Sequence, residues 1–151
     1  MIARLGELQA MQPLMALLAR LLAPRHRIAV FVVVEDGDER VLLLRHLLHP
    51  VFPWGLPGGW LGGNESPQEG AIRELEEETG LRAEIGPVVY LSREKEPWHT
   101  MIVFLAKARP GPVCLGSEIV DFGWFAPDAL PEGVVPFAKE AVQAARQGRQ
   151  R

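Results

Sequence analysis

Cysteine is almost absent from this chain of 151 residues, in which Cys114 is the single example. One cysteine cannot form a disulfide within the chain, so a reducing, cytoplasmic compartment is the simplest expectation. The sequence also lacks cysteine and histidine residues at the spacing of a zinc site. Because no histidine lies near Cys114 in sequence, we expect an inert thiol there rather than a catalytic nucleophile.

Positive charge is in short supply as well. The chain has 16 Lys and Arg residues against 19 Asp and Glu residues, which gives a formal net charge of −3. This balance does not favour a protein that grips a nucleic acid polymer through its phosphates, so no such partner is expected. A small ligand rich in phosphate would need local arginine, lysine or metal charge to be held.

No apolar run is long enough to span a bilayer, and no membrane partner is expected. The most apolar stretch is residues 1–23, and within residues 14–23 Arg20 is the only charged residue. We favour a helix over residues 1–23 that packs on the rest of the protein or forms a homodimer. Two alternatives stay open. A signal peptide is disfavoured by Glu7 and by the lack of a clear cleavage site, and a peripheral membrane helix would need a more basic polar face.

What the chain does have is a dense group of carboxylates. The stretch R-E-L-E-E-E-T-G-L, residues 73–81, places four glutamates within five residues. Helix signals surround it: Ser66 is a good N-cap, Glu69 completes a capping box, Pro67 suits the first helical position and Gly80 suits a left-handed terminator. The sequence therefore predicts a helix over residues 67–79.

This predicted helix has two distinct faces. At about 100° per residue, Glu74, Glu77 and Glu78 fall on one side, whereas Ile72, Leu75 and Thr79 form a second face that can pack on a core. Like charges at this spacing destabilise a helix, so a compensating cation is expected. Hard, oxygen-seeking cations such as Mg²⁺ or Mn²⁺ suit a face made of carboxylates.

Apolar, β-branched segments predict a sheet around this helix. Residues 27–34 are typical of a strand buried on both faces, and residues 40–45 of its hairpin partner. Further strands are expected at residues 82–85, 88–92, 98–108 and 121–126, with a turn at Gly86 and Pro87. A final helix is predicted over residues 136–146. This order, without internal repeats, indicates one domain over residues 24–151, of the α/β or α+β class.

The stretch from residue 59 to residue 81 resembles the Nudix box, G-x5-E-x7-R-E-U-x-E-E-x-G-U, in which U is an apolar residue. All nine defined positions are filled, by Gly59, Glu65, Arg73, Glu74, Leu75, Glu77, Glu78, Gly80 and Leu81. The preceding W-G-L-P-G-G, residues 54–59, also looks like the family. So many defined positions make this a far more specific signal than a lone glycine motif. The resemblance implies an α/β/α sandwich with a mixed β-sheet, in which the box forms a loop, a helix and a second loop.

The resemblance also implies a metal-dependent hydrolase that cleaves a pyrophosphate bond in a nucleoside diphosphate derivative. Its metal ligands, for Mg²⁺ or Mn²⁺, would be the carboxylates of Glu74, Glu77 and Glu78 and the carbonyl of Gly59. Metal ions shield phosphoryl charge and acidify the attacking water in reactions of this kind.

Roles for the remaining box residues follow from the same resemblance. Arg73 would orient the glutamates by salt bridges, while Glu65 and Gly80 would hold the box in shape. The general base would be a box glutamate or a glutamate on a later loop, for which Glu118 is the candidate. The expected catalytic residues are therefore Glu74, Glu78, Arg73 and Glu118.

Substrate contacts are less constrained by the sequence. Arg45, Trp54 and Trp98 are candidates for binding the phosphates or stacking on the base of a nucleotide. Family members that cleave ADP-ribose tend to carry a proline about sixteen residues after the box, where Pro97 lies in this chain. ADP-ribose or another sugar nucleotide is therefore favoured. The alternatives are a nucleoside triphosphate pyrophosphohydrolase of the 8-oxo-dGTP type and a Nudix domain that senses nucleotides without cleaving them.

Overall fold

The computed structural model of the protein describes residues 13, 26–48, 50–95 and 98–149. The predicted helix over residues 1–23, apart from Pro13, lies outside the described residues, and so does Pro97. Within those described ranges no helix combines the length and the apolar character needed to cross a membrane.

The described chain forms seven strands and two long helices. The strands are Arg27–Glu35 (β1), Val41–His46 (β2), Trp54–Gly55 (β3), Gly58–Trp60 (β4), Ala83–Lys95 (β5), Trp98–Ala108 (β6) and Ile119–Phe125 (β7). The helices are Pro67–Thr79 (α1) and Pro136–Gly148 (α2). One mixed sheet contains all seven strands: β1 and β6 are parallel, and the other pairs are antiparallel.

β1 lies at the centre of the molecule and is buried on both faces, as its apolar run predicts. Val30, Val32 and Val34 pack against the core beneath α1. Val33 points to the other face and packs in a second core with α2. Because each helix covers one face of the same sheet, the predicted α/β/α sandwich with a mixed β-sheet is confirmed.

β1 and β2 form the predicted hairpin, but they pair directly only next to the turn that joins them. The two strands pair directly at Glu35 and Val41. β6 pairs with one edge of β1 along its whole length, and β7 pairs with one edge of β2 along its whole length. The other edge of β1 faces the other edge of β2. β4 pairs with this inner edge of β1, and β3 pairs with this inner edge of β2. Only Leu56 and Pro57 separate β3 from β4 in sequence. The seven residues from Trp54 to Trp60 therefore connect the two halves of the sheet, one built around β2 and the other around β1.

Gly58 allows this connection to cross closely over β1. Its φ of 151° lies in a region that favours glycine, and a Cβ built there would sit 2.2 Å from the carbonyl oxygen of Val30. The preceding Pro57 carbonyl accepts a hydrogen bond from the Val32 N–H at 2.9 Å. The backbone of β4 is therefore held against β1 at a distance that no larger residue permits.

The predicted turn at Gly86 and Pro87 is wrong. β5 runs through both residues without ending, and the pairing register with β6 shifts between Ile85 and Val88. Among the described strands, β5 pairs only with β6 and forms an edge of the sheet. Proline is tolerated on an edge strand because its missing N–H is not needed by a neighbour, and a bulge absorbs the irregularity.

α1 begins and ends where the sequence predicts. The Ser66 hydroxyl accepts a hydrogen bond from the Glu69 N–H, and the Glu69 carboxylate accepts one from the Ser66 N–H at 2.7 Å. Gly80 adopts φ of 67° and donates its N–H to the Glu76 carbonyl at 2.8 Å. These bonds satisfy backbone groups that a helix otherwise leaves without partners at its ends.

The predicted apolar face of α1 is partly wrong. Ala71 and Leu75 are fully buried, but Ile72 is only half-buried and lies on the outer surface beside the charged residues of the helix. Gly70 is buried instead, and a Cβ there would come within 2.7 Å of the Leu61 side chain. The buried residues of α1 are therefore Gly70, Ala71, Leu75 and Thr79, of which Leu75 and Thr79 belong to the predicted face.

Candidate active site

The acidic face of α1 lies directly over β4. The Glu78 carboxylate accepts a hydrogen bond from the Gly58 N–H at 2.9 Å. A Cβ built at Gly59 would come within 2.6 Å of the Glu74 carboxyl carbon. Two consecutive glycines therefore give the glutamates direct access to the backbone of β4.

Arg73 joins the glycine-rich loop to two of the glutamates. Its guanidinium donates to both Glu65 oxygens, at 2.8 and 3.1 Å, and to the Trp60 carbonyl at 3.1 Å. On the other side, Nη1 donates to Glu74 at 2.7 Å and to Glu77 at 3.3 Å. The bonds to Glu65 and then to Glu74 raise the pKa of Arg73 well above its ordinary value. All three guanidinium nitrogens are committed to the protein itself.

Both carboxylate oxygens of Glu65 accept hydrogen bonds within this network. Besides Arg73, it accepts a hydrogen bond from the Gly62 N–H at 2.6 Å, which closes the loop before α1. The Arg73 side chain first, and the Gly62 N–H second, lower the pKa of Glu65 to about 2. Glu65 thus fixes the loop to the helix as a permanent carboxylate.

The surroundings of Glu78 shift its pKa in the opposite direction to that of Glu65. Burial raises the pKa of Glu78 to about 7, because a charged carboxylate loses hydration there. The Gly58 N–H opposes this shift, whereas the negative charges of Glu74, Glu118 and Glu77 add to it. Arg73 pairs with Glu74 and Glu77, but none of the salt bridges among the described residues reaches Glu78 itself.

Glu118 lies in the same place, although it is 40 residues later in sequence. A cavity of about 250 Å³ is lined by Glu74, Glu77, Glu78, Gly116, Ser117, Glu118 and Ile119. The loop is fixed by its backbone: the Gly116 N–H donates to the Glu78 carbonyl at 2.9 Å, and the Glu118 carbonyl accepts from the Leu47 N–H at 3.1 Å. The structure thus brings four predicted site carboxylates around one cavity.

A larger cavity, of about 520 Å³, lies elsewhere, next to Trp60, Leu61 and Ile28. Size alone would favour it, but no carboxylate lines it. We place the candidate active site at the smaller cavity because the perturbed pKa of Glu78 and the converging carboxylates both belong there.

The carboxylates around the smaller cavity suit a hard divalent cation. Among the described residues, no three acidic, histidine or cysteine side chains already converge as metal ligands. Glu74 and Glu77 are instead bonded to Arg73 in this arrangement. The oxygen donors are nevertheless of the type that Mg²⁺ and Mn²⁺ prefer. Burial first, and the neighbouring carboxylates in addition, raise the pKa of Glu78, and a bound cation would oppose both effects.

The three predicted substrate residues do not line this cavity. Arg45 is exposed near the end of β2, where it is paired with Trp54 of β3. Trp54 is half-buried, with its ring 5.4 Å from that of Phe125 in an edge contact. Trp98 is 57% exposed at the start of β6, and Arg93 lies over its ring at 4.9 Å. Arg45 and Trp54 therefore lie together, and Trp98 lies on a different strand, on the other side of β1.

Two contributions to the site were not expected from the sequence. The Gly58 N–H is a direct partner of Glu78, and the Trp60 carbonyl is a partner of Arg73. The glycine pair in W-G-L-P-G-G was a usable signal for Gly58, since adjacent glycines often mark a close approach of the backbone. A carbonyl partner such as that of Trp60 leaves no trace in a sequence.

Comparisons with known proteins identify one matching family model and several similar proteins. A family model described as the NUDIX domain matches residues 25–145. A Bacillus subtilis protein whose name describes it as an 8-oxo-dGTP diphosphatase is 29% identical to this chain over 121 residues, which cover 80% of each chain. A Methanocaldococcus jannaschii protein named ADP-ribose pyrophosphatase is 30% identical over 110 residues, 70% of this chain and 64% of that one.

A solved structure resembles the fold over most of its length. The crystal structure of a MutT NUDIX hydrolase from Burkholderia pseudomallei superposes with a TM-score of 0.71 and 26% identity. The match covers 80% of this chain and 98% of the Burkholderia chain.

Proposed function

The chain belongs to the NUDIX family and is a Nudix hydrolase, and on this premise we propose that it cleaves a pyrophosphate bond in a sugar nucleotide such as ADP-ribose. The observation that carries the reaction is the convergence of Glu74, Glu77, Glu78 and Glu118 on one cavity, and the similarity to the Methanocaldococcus jannaschii protein favours the sugar nucleotide. Arg73, the cation bonded to this group, is committed to the protein. A pyrophosphate is itself negative, so the positive charge that it needs must come from a bound cation or from residues outside this cavity.

We assign the binding of that cation to the side chains of Glu74, Glu77 and Glu78 and to the carbonyl of Gly59. When bound, Mg²⁺ or Mn²⁺ would shield the phosphoryl oxygens and acidify the attacking water. Arg73 orients Glu74 and Glu77 through its bonds to their carboxylates.

Glu118 is the proposed general base. Its carboxylate lines the cavity and, unlike those of Glu74 and Glu77, is not bonded to Arg73. A base of this kind accepts the proton of the attacking water while the water forms its bond to phosphorus. Its exposure also allows the proton to pass to solvent after the reaction.

Arg45 and Trp54 are proposed to bind the nucleotide. Arg45 is two residues from Leu47, whose N–H donates to the Glu118 carbonyl, and alternation along β2 places the Arg45 side chain with Leu43 on the face of the sheet that α2 covers. Trp54 pairs with Arg45 across the sheet and presents a half-exposed ring for stacking on a base. Trp98 is the third candidate, since its exposed ring is available for stacking at the far side of β1.

A second candidate reaction is hydrolysis of an oxidised nucleoside triphosphate. It is favoured by the similarity to the Bacillus subtilis protein, which extends over 80% of this chain. Both reactions would act on a small nucleotide in the cytoplasm, and both would use the same carboxylates.

The test is a substrate panel with the purified full chain. Release of phosphate or nucleoside monophosphate is measured from ADP-ribose, a second sugar nucleotide, 8-oxo-dGTP and a dinucleoside polyphosphate, each with Mg²⁺, with Mn²⁺ and with chelator. We expect metal-dependent turnover, fastest with ADP-ribose or the other sugar nucleotide. Fastest turnover of 8-oxo-dGTP would select the second reaction. Tight binding of a nucleotide with no turnover of any compound would instead identify a sensor.

A further inference from the structure

The larger cavity, of about 520 Å³, combines an aromatic side chain with positive charge. Its lining includes Trp60, which is 47% exposed, together with His26 and Arg27 at the start of β1. Ile28 and Leu61 add apolar surface. The volume is in the range of small-molecule sites, which measure roughly 300–1,000 Å³.

Arg27 supplies positive charge that no described carboxylate neutralises. Arg27 takes part in none of the salt bridges between described residues, and the described lining of the cavity contains no carboxylate. Its guanidinium lies 5.8 Å from the centroid of the Trp60 ring. Because a guanidinium matches the geometry of a phosphate group, Arg27 is suited to bind an anion in this cavity. The imidazole of His26 adds a hydrogen-bond donor.

Trp60 offers a flat surface next to this charge. The ring contacts His99 edge-on, with 5.1 Å between the ring centroids, and about half of the residue stays exposed. A Cβ built at Gly63 would meet no atom within 4 Å, so the loop leaves this side of the cavity open. Nucleobases stack on such aromatic faces whatever their sequence, since every base has a π face.

The two features together define the chemistry of the ligand. A purely apolar ligand would leave Arg27 and His26 unused, and an inorganic anion would leave the ring of Trp60 unused. An aromatic base joined to a phosphate engages all three side chains. We propose that a nucleoside monophosphate group binds in the larger cavity, with its base stacked on Trp60 and its phosphate held by Arg27 and His26.

The larger cavity is connected to the carboxylates through shared residues. The Trp60 carbonyl accepts a hydrogen bond from Arg73 at 3.1 Å, and the Gly62 N–H donates to Glu65 at 2.6 Å. Binding in the cavity therefore acts on the arginine that orients Glu74. The nucleoside monophosphate group has two possible sources: one end of the substrate, or a second nucleotide that modulates the reaction. Only the first source rests on the proposed function.

An NMR titration of the full chain with AMP in chelator tests the proposal. Chelator removes the cation that the smaller cavity needs, so its carboxylates repel the phosphate and no hydrolysis occurs. The readouts are the backbone N–H of Gly63 and the indole N–H of Trp60, which is identified by its absence from Trp60→Phe. The variants are Arg27→Gln and Trp60→Leu. Their matched control is Arg82→Gln, an exposed arginine outside the cavity. Circular dichroism checks that each variant is folded.

AMP is expected to shift both resonances. Arg27→Gln should weaken its affinity about tenfold, because a charge-assisted bond to the phosphate is lost. Trp60→Leu should weaken it by a similar factor, whereas Trp60→Phe retains a stacking surface and most of the affinity. Arg82→Gln should bind AMP as the wild type does. Adenosine, which has no phosphate, should bind equally to the wild type and to Arg27→Gln.

The proposal is overturned if millimolar AMP shifts neither resonance, if Trp60→Leu keeps full affinity, or if Arg27→Gln and Arg82→Gln lose affinity equally. Steady-state kinetics with ADP-ribose then distinguish the two sources. Competitive inhibition by AMP that weakens in Arg27→Gln identifies one end of the substrate, and a change in kcat without competition identifies a second nucleotide. Because the titration in chelator does not require turnover, its failure is distinguishable from a failure of the proposed function.

Discussion

Glu65 and Glu78 are two glutamates of the same motif with opposite electrostatic surroundings. The pKa of Glu65 is lowered to about 2, chiefly by Arg73, whereas the pKa of Glu78 is raised to about 7, chiefly by burial. Glu65 already has its cation within the protein. Glu78 accepts a hydrogen bond from one backbone N–H and has three carboxylates for neighbours, and Arg73 is bonded to two of those neighbours rather than to Glu78.

The contrast separates the part of the motif that holds the loop from the part that we propose to perform chemistry. Arg73 is bonded to Glu65 through two nitrogens and to Glu74 and Glu77 through the third. No bond joins Arg73 to Glu78. A carboxylate kept unpaired in a half-buried place costs stability, and such cost is typical of a group that acquires a partner when the protein works.

Activity provides the largest expected difference. Glu78→Gln should lower kcat by about 10³-fold or more, because several kcal/mol of charge stabilisation depend on the bound cation. The matched control is Glu76→Gln, an exposed glutamate of the same helix outside the cavity. Steady-state rates on the best substrate of the panel measure both. Full activity of Glu78→Gln, or a large loss in Glu76→Gln, would contradict the assigned face of α1.

Stability of the metal-free protein should change in the opposite direction. Because the pKa of Glu78 is about 7 in the folded state and 4.5 ordinarily, its contribution to stability is present below pH 4.5 and is lost as pH rises through 7. Glu78→Gln, which mimics the protonated form, should therefore gain about 2–3 kcal/mol over the wild type at pH 8, and little at pH 5. Urea unfolding in chelator measures this difference. An equal gain in stability at pH 5 and pH 8 would show that the charge of Glu78 is not its cause, and would contradict the contrast between Glu78 and Glu65.

Glu65 should show the smallest effect and the reverse dependence on pH. Its pKa is lowered from 4.5 to about 2, so its contribution to stability is present above pH 4.5 and is lost as pH falls through 2. Glu65→Gln should consequently be less stable than the wild type at neutral pH, and the two unfolding curves should approach each other in acid. Equal stability at pH 7 would mean that the Gly62 and Arg73 bonds do not hold the loop.

Much of this site could be predicted because its signals are local. The caps at Ser66 and Gly80 fix both ends of α1, and the spacing of Glu74, Glu77 and Glu78 fixes their common face. Such features depend on residues within one or two helical turns of each other.

The remaining features depend on partners that are distant in sequence. The register shift at Pro87 requires knowledge that β5 is an edge strand, and the burial of Gly70 rather than Ile72 depends on the position of Leu61. The pKa of Glu78 depends on Glu118, which only the folded loop brings near. The sequence names Glu118 as a candidate for the site, but tertiary packing decides which side chains these residues contact.

The chain from Trp54 to Trp60 belongs to both halves of the sheet at once. Its first two residues pair with β2, its last three pair with β1, and Leu56 and Pro57 span the interval. Any change in the spacing of the halves is therefore transmitted through the covalent backbone to Gly58 and Gly59, and from there to the carboxylates above them. This segment is a covalent link that lies directly beneath the site. A substitution that shifts β2 relative to β1 therefore alters the geometry of Glu74 and Glu78 although it contacts neither residue.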